Sequence, residues 1–197
     1  MLKKITLLPL MTGLLLSHTV WSTEKDINSF GDHEVSNLQI SKLTHSGSIE
    51  VLNSAIEAFS IINGQLKSKN TSFCELTVNG DAELEQSKIE GKVAINGSLD
   101  ADSSSFGGPV LIHGHISAES CEFNDQITLH GNQAEFEESS LKTLVIQENH
   151  SNTPQTIYLE DSIVANDIVF KQGNGTVVLD NDSQVKGEVK GGIIKNA

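Results

Sequence analysis

The stretch Val93-Ala94-Ile95-Asn96-Gly97-Ser98-Leu99-Asp100-Ala101-Asp102-Ser103-Ser104-Ser105-Phe106-Gly107-Gly108-Pro109 is one clean unit of a repeat that decides the fold. Leu76, Val93, Val110, Ile127 and Leu144 recur at intervals of 17 residues. Six units align, starting at Leu43, Ser60, Leu76, Val93, Val110 and Ile127; the second lacks one residue and the sixth carries a small shift. Positions 1, 3, 7, 9 and 14 are apolar in 27 of 30 slots, the exceptions being His45, Ser60 and Ser68. A composition of 37% apolar residues would fill about 11 of them, so the pattern is not chance.

The pairs 1 and 3, 7 and 9, and 12 and 14 each alternate with a strand's period of two. Each unit therefore holds three short strands, and three strands per turn make a three-sided coil. Position 5 is glycine in every unit (Gly47, Gly64, Gly80, Gly97, Gly114, Gly131) and reads as a left-handed corner. It follows a polar column of Ser46, Asn63, Asn79, Asn96, His113 and His130, suited to hydrogen bonding along a stack. Position 12 is small (Ser54, Thr71, Ser87, Ser104, Cys121, Ser139), leaving room for the large residues of position 14, Phe106 among them. Asn-Gly pairs also suit hairpins, but hairpins would not set every apolar column 17 residues apart with the same corner each time. One coil cannot bury its inward face alone, whereas coils stacked at about 4.8 Å close a core between them. The fold class expected is all-β, a single-stranded parallel β-helix.

Outside the six units the pattern loosens. Residues 147–155 are polar, contain Pro154 and read as a loop thrown out of one corner. Ile157-Tyr158-Leu159, Ile168-Val169-Phe170 and Val177-Val178-Leu179 then resume short strands in two or three longer coils, so the β-helix is placed at 43–194. Residues 23–42 read as a polar lead-in or N-terminal cap. Residues 1–22, with Lys3 and Lys4, the mostly apolar run 5–16 and Val20-Trp21-Ser22, have the form of a secretory signal peptide. The apolar run is short for a membrane span and no cysteine follows it. The expected product is a periplasmic or secreted protein with no membrane insertion.

All 13 basic residues are lysine, and two leave with the leader while 26 acids remain, for a mature net charge of −15. A nucleic-acid partner is excluded on charge, and without arginine there is no bidentate fork for phosphate.

The runs Ile89-Glu90-Gly91-Lys92-Val93, Ile95-Asn96-Gly97-Ser98-Leu99 and Val185-Lys186-Gly187-Glu188-Val189-Lys190-Gly191-Gly192 resemble bactofilins, the polymer-forming β-helix scaffolds of bacteria. The resemblance is one of pattern, over 43–194. It implies a rigid rod that polymerises end to end, recruits cell-envelope enzymes and has no catalytic residues of its own. This chain differs in its export signal and in lacking proline-rich basic tails.

Outward positions 8 and 10 carry two mainly acidic columns: Glu50, Lys67, Glu83, Asp100, Ser117, Glu135 and Leu52, Lys69, Glu85, Asp102, Glu119, Glu137. Glu85, Asp102 and Glu119 are candidate oxygen ligands for calcium, against the simpler reading of a solvated face. His113 and His130 share one corner column, with His115 two residues on, and are candidates for zinc or plain corner fillers. No nucleophile, base and orienting group fall into a recognisable signature. Two enzyme classes share the architecture. Sugar-cleaving β-helices need a cleft, for which 147–155 is the candidate wall; hexapeptide acyltransferases need a catalytic histidine and intracellular acyl donors. The leading expectation is an exported, non-enzymatic scaffold or binding module of the cell envelope, partnered by itself or by envelope components and needing no cofactor. The alternative is a carbohydrate-active or carbohydrate-binding β-helix. Cys74 and Cys121, three coils apart and on different sides of the wall, are not expected to form a disulfide.

Overall fold

The computed structural model describes residues 22–149 and 153–197, so the expected leader lies outside the described residues except for Ser22. Among these residues the structure is all β, a stack of parallel strands. Ten strands, from His33–Ser36 to Gly192–Asn196, form one sheet, one strand for each of ten coils. The other sheet holds the remaining two sides. Position 1 of the repeat is a literal column: Ile27, Leu43, Ser60, Leu76, Val93, Val110, Ile127, Leu144, Ile168 and Val189 are successive strand partners. All thirty inward slots of the six units are buried, including the three polar ones. His45 is sealed in by two contacts of 2.8 Å: Nε2–H donates to the Gly31 carbonyl and Nδ1 accepts from the Ser29 hydroxyl. The Ser68 hydroxyl lies 3.2 Å from that of Ser87. Ser60 Oγ has no partner among the described residues.

Two sides merge into one sheet because strands such as Ala55–Asn63, Ser72–Val78 and Glu122–Leu129 run on through the third corner, absorbing it as a bulge in two of these pairings. Three separate strands per coil appear where glycine interrupts that corner: Gly91 parts Lys88–Ile89 from Val93–Ile95, and Gly107-Gly108-Pro109 part Ser105–Phe106 from Val110–Ile112. The stack also starts earlier than the repeat. Ser22–Phe30 pairs with Leu38–Ser46 and His33–Ser36 with Ile49–Leu52, so the segment read as a lead-in or cap is itself a coil lying over the first repeat unit. Gly31 occupies its glycine corner, one place before Gly47 in the column.

The corner glycines are required for two reasons. Gly47, Gly64 and Gly80 have φ of 126°, 150° and 157°, the positive-φ backbone that glycine favours, whereas Gly97, Gly114 and Gly131 do not. Non-glycine residues of positive φ stand at position 11 of every unit: Asn53, Asn70, Gln86, Ser103, Ser120 and Glu138, with φ between 47° and 52°. At the glycine corner the coils press backbone on backbone. A Cβ on Gly97 would sit 2.4 Å from the Gly80 carbonyl oxygen, and one on Gly114 2.4 Å from that of Gly97. Strained position 11 is held by the serine that follows it. Ser104 Oγ–H donates to the Asp102 carbonyl at 2.9 Å and accepts the Ser87 amide at 3.0 Å; Ser139 does the same for Glu137 and Cys121, and Ser162 for Glu160 and Ser139. Position 12 is thus a buried hydroxyl ladder that satisfies corner backbone groups, a role its small size did not reveal.

Replacing Gly97 with alanine should destabilise the protein by about 1–3 kcal/mol, the usual range for overpacking. Asp100→Ser, on the exposed face, should stay within about 0.5 kcal/mol. Urea melts of the two variants check this; equal midpoints would contradict the packed corner.

Candidate functional site

The outward side of the ten-stranded sheet concentrates the charge. Its register sets Glu83, Asp100, Ser117, Glu135 and Tyr158 in one column and Glu85, Asp102, Glu119, Glu137, Glu160 and Asp180 in the other. Among the described residues, lysines pair with these columns at the upper end: Lys67 reaches Glu83 at 2.7 Å and Lys69 reaches Glu85 at 2.5 Å. Below them the carboxylates face one another. Glu160 above all, then a slight desolvation and Glu119, raises the Glu137 pKa above the ordinary carboxylate value. Of the three candidate calcium ligands, Glu85 is already engaged by Lys69, while Asp102 and Glu119 follow it on the next two coils. Among the described residues, no three His, Cys, Asp or Glu side chains come together as a metal-holding group.

A shallow trough of about 450 Å³ lies low on this face. Glu119, Glu135, Glu137 and Glu160 surround Tyr158, which is 43% exposed. The loop expected as a cleft wall is anchored elsewhere, at the glycine corner. Gln155 fills the place of a corner glycine there and is fully buried, its Nε2 donating to the Gln147 carbonyl at 2.7 Å. Sequence reasoning missed Gln155; its signal is a glutamine standing where the column had held glycine.

The polar column beside the glycines is a ladder. Asn79 Nδ2 donates to Asn63 Oδ1 at 2.7 Å and Asn96 Nδ2 to Asn79 Oδ1 at 2.6 Å. His113 and His130 continue it as a ring stack, centroids 4.4 Å apart and planes 21° from parallel. Stacking sets their nitrogens in two nearly parallel planes instead of aiming them at one point, which suits a corner filler better than a zinc pair. His115 belongs to the next side, its Nδ1 3.2 Å from the Gln133 carbonyl oxygen. Burial first, and the neighbouring His113 second, lower the His130 pKa below the ordinary 6.5.

Cys121 is buried in the hydroxyl column, where its thiol donates to the Glu119 carbonyl at 3.1 Å as the serines do. Burial pushes its pKa up to about 11. Cys74 is half-buried beside Glu90 and Glu57, and neither cysteine is in a disulfide.

The lowered His130 pKa means that the unfolded chain takes up a proton first as pH falls, so stability drops on acidification below about 6.5. His130→Asn, which restores the residue of the upper column, should therefore shrink the loss of thermal stability between pH 7.5 and 5.5. A loss as large as in the parent protein would contradict this account of the stack. No protein-family model, no curated protein and no solved structure matches the chain.

Proposed function

We propose that the mature protein is an exported, non-enzymatic scaffold of the cell envelope, a bactofilin-like rod that displays its charged face and joins other copies through its C-terminal end. The observation that carries this reading is the open end of the core. The inward column of Ile157 and Val177, both fully buried, ends on Ile194, which is 49% exposed beside Ile193 at 57%. No strand pairs with the far edge of Gly192–Asn196 among the described residues. An uncovered edge with apolar side chains on it is a template for another chain.

A second reading, carbohydrate binding, is favoured by Tyr158 in the acidic trough, since an exposed aromatic ring among carboxylates can stack on a sugar face while they accept its hydroxyls. A single ring is a small platform, and the open end is the broader feature.

Deleting residues 193–197 should lower the association state of the mature protein in sedimentation velocity and leave its β-sheet spectrum intact. An unchanged association state would overturn assembly through this edge.

A further inference from the structure

The upper end of the charged face holds a pattern that its lower part leaves unanswered. Lys67 and Lys69, two residues apart on the strand Leu66–Lys69, reach Glu83 and Glu85, two residues apart on the next coil, at 2.7 and 2.5 Å. In an extended chain, alternate side chains share one face about 6.8 Å apart, so a single Lys-x-Lys stretch meets both columns. Over the next four coils the same columns carry Asp100, Asp102, Glu119, Glu135, Glu137 and Glu160, all exposed and with no lysine among them. Ser117 and Tyr158 take the two remaining places.

We infer that this open sheet face docks an extended segment of a different protein, one with lysine at alternate positions, laid across the columns in the direction of the coils. The inference deepens the display half of the proposed function and rests on it, but not on end-to-end joining. One ammonium of the segment sits between Glu137 and Glu160, neighbours in one column, and the next between Glu135 and Tyr158, neighbours in the other. Tyr158 supplies what a merely solvated acidic surface lacks: its ring is 43% exposed in the trough of about 450 Å³, with those three carboxylates around it. An aromatic face in such a place attracts an ammonium. The repulsion from Glu160 that raises the Glu137 pKa is relieved by the same cation. A second copy of this chain does not fit as the occupant, since its formal net charge of −13 repels and its own Lys67 and Lys69 are engaged.

Fluorescence anisotropy of synthetic peptides with the mature protein tests it. A peptide with lysine at every second residue and serine between should bind at least about tenfold more tightly than one with the same number of lysines at every third residue, whose successive lysines point to opposite sides. Glu137→Gln, Glu160→Gln and Tyr158→Leu should each weaken the alternating peptide by about three- to fivefold, the loss of one solvated contact. Glu75→Gln, on another side of the coil, should bind as the parent does. Added salt should weaken binding. Equal binding of the two peptides, or parent-like binding by all three face variants, would overturn the inference. A parent protein that sediments as a monomer yet discriminates the peptides overturns the assembly reading alone; one that assembles and fails to discriminate overturns only this inference.

Discussion

Close approach of backbone to backbone at the glycine corner governs the rest of the molecule. Coils pair through parallel ladders at about 4.8 Å, and at this corner the chain comes so near to its neighbour that a side chain has nowhere to go. A Cβ on Gly64 would stand 2.0 Å from the Gly47 carbonyl oxygen, and one on Gly131 equally close to that of Gly114. The corner pins each coil to the one before it, so the inward positions fall into register. Phe106 and Phe123 then stack with planes 1° from parallel and centroids 4.5 Å apart, which requires that one coil repeat the next.

The same register turns polar residues into ladders. A serine at position 12 faces a serine, an asparagine at position 4 an asparagine, and each hydrogen bond joins two coils. On the outer face identical register has the opposite effect, since acids stack on acids. Mutual repulsion there raises the Glu137 pKa, and Lys67 and Lys69 relieve it near the upper end. The regularity that builds the core therefore also builds a face with a strong negative field, one that deters anionic partners and draws cationic ones.

Columns 1, 3, 7, 9 and 14 were legible in the sequence because burial on every coil leaves a periodic apolar signal. Backbone devices were not. Gln86 and Glu138 are poor choices for a left-handed residue on propensity alone, and the serine that follows each, bonded to the carbonyl of the residue before it, explains how they are held. Coil 27–42 escaped notice because an end coil has one neighbour and tolerates Ser29 and His33 in its inward slots. Gly31, Val35 and Ile40 nonetheless stand in the columns of Gly47, Val51 and Ile56. At the candidate site the acidic columns and the histidine column were legible in the sequence. It could not say that the two rings stack, nor that Tyr158 lies among the carboxylates, because both depend on the three-dimensional placement of coils of unequal length.

The central claim is that each coil is an interchangeable layer set by one column register, and excising a layer tests it most directly. Removing residues 93–109 joins Lys92 to Val110 and brings Gly114 onto Gly80, with every column restored. Removing only 93–100 deletes about half a turn and breaks every column below the cut. Circular dichroism and urea unfolding of the two shortened chains should show a cooperatively folded β protein for the first and an unfolded or aggregated one for the second. Loss of cooperative folding in the 17-residue excision, or equal tolerance of both, would contradict the stacked-coil account.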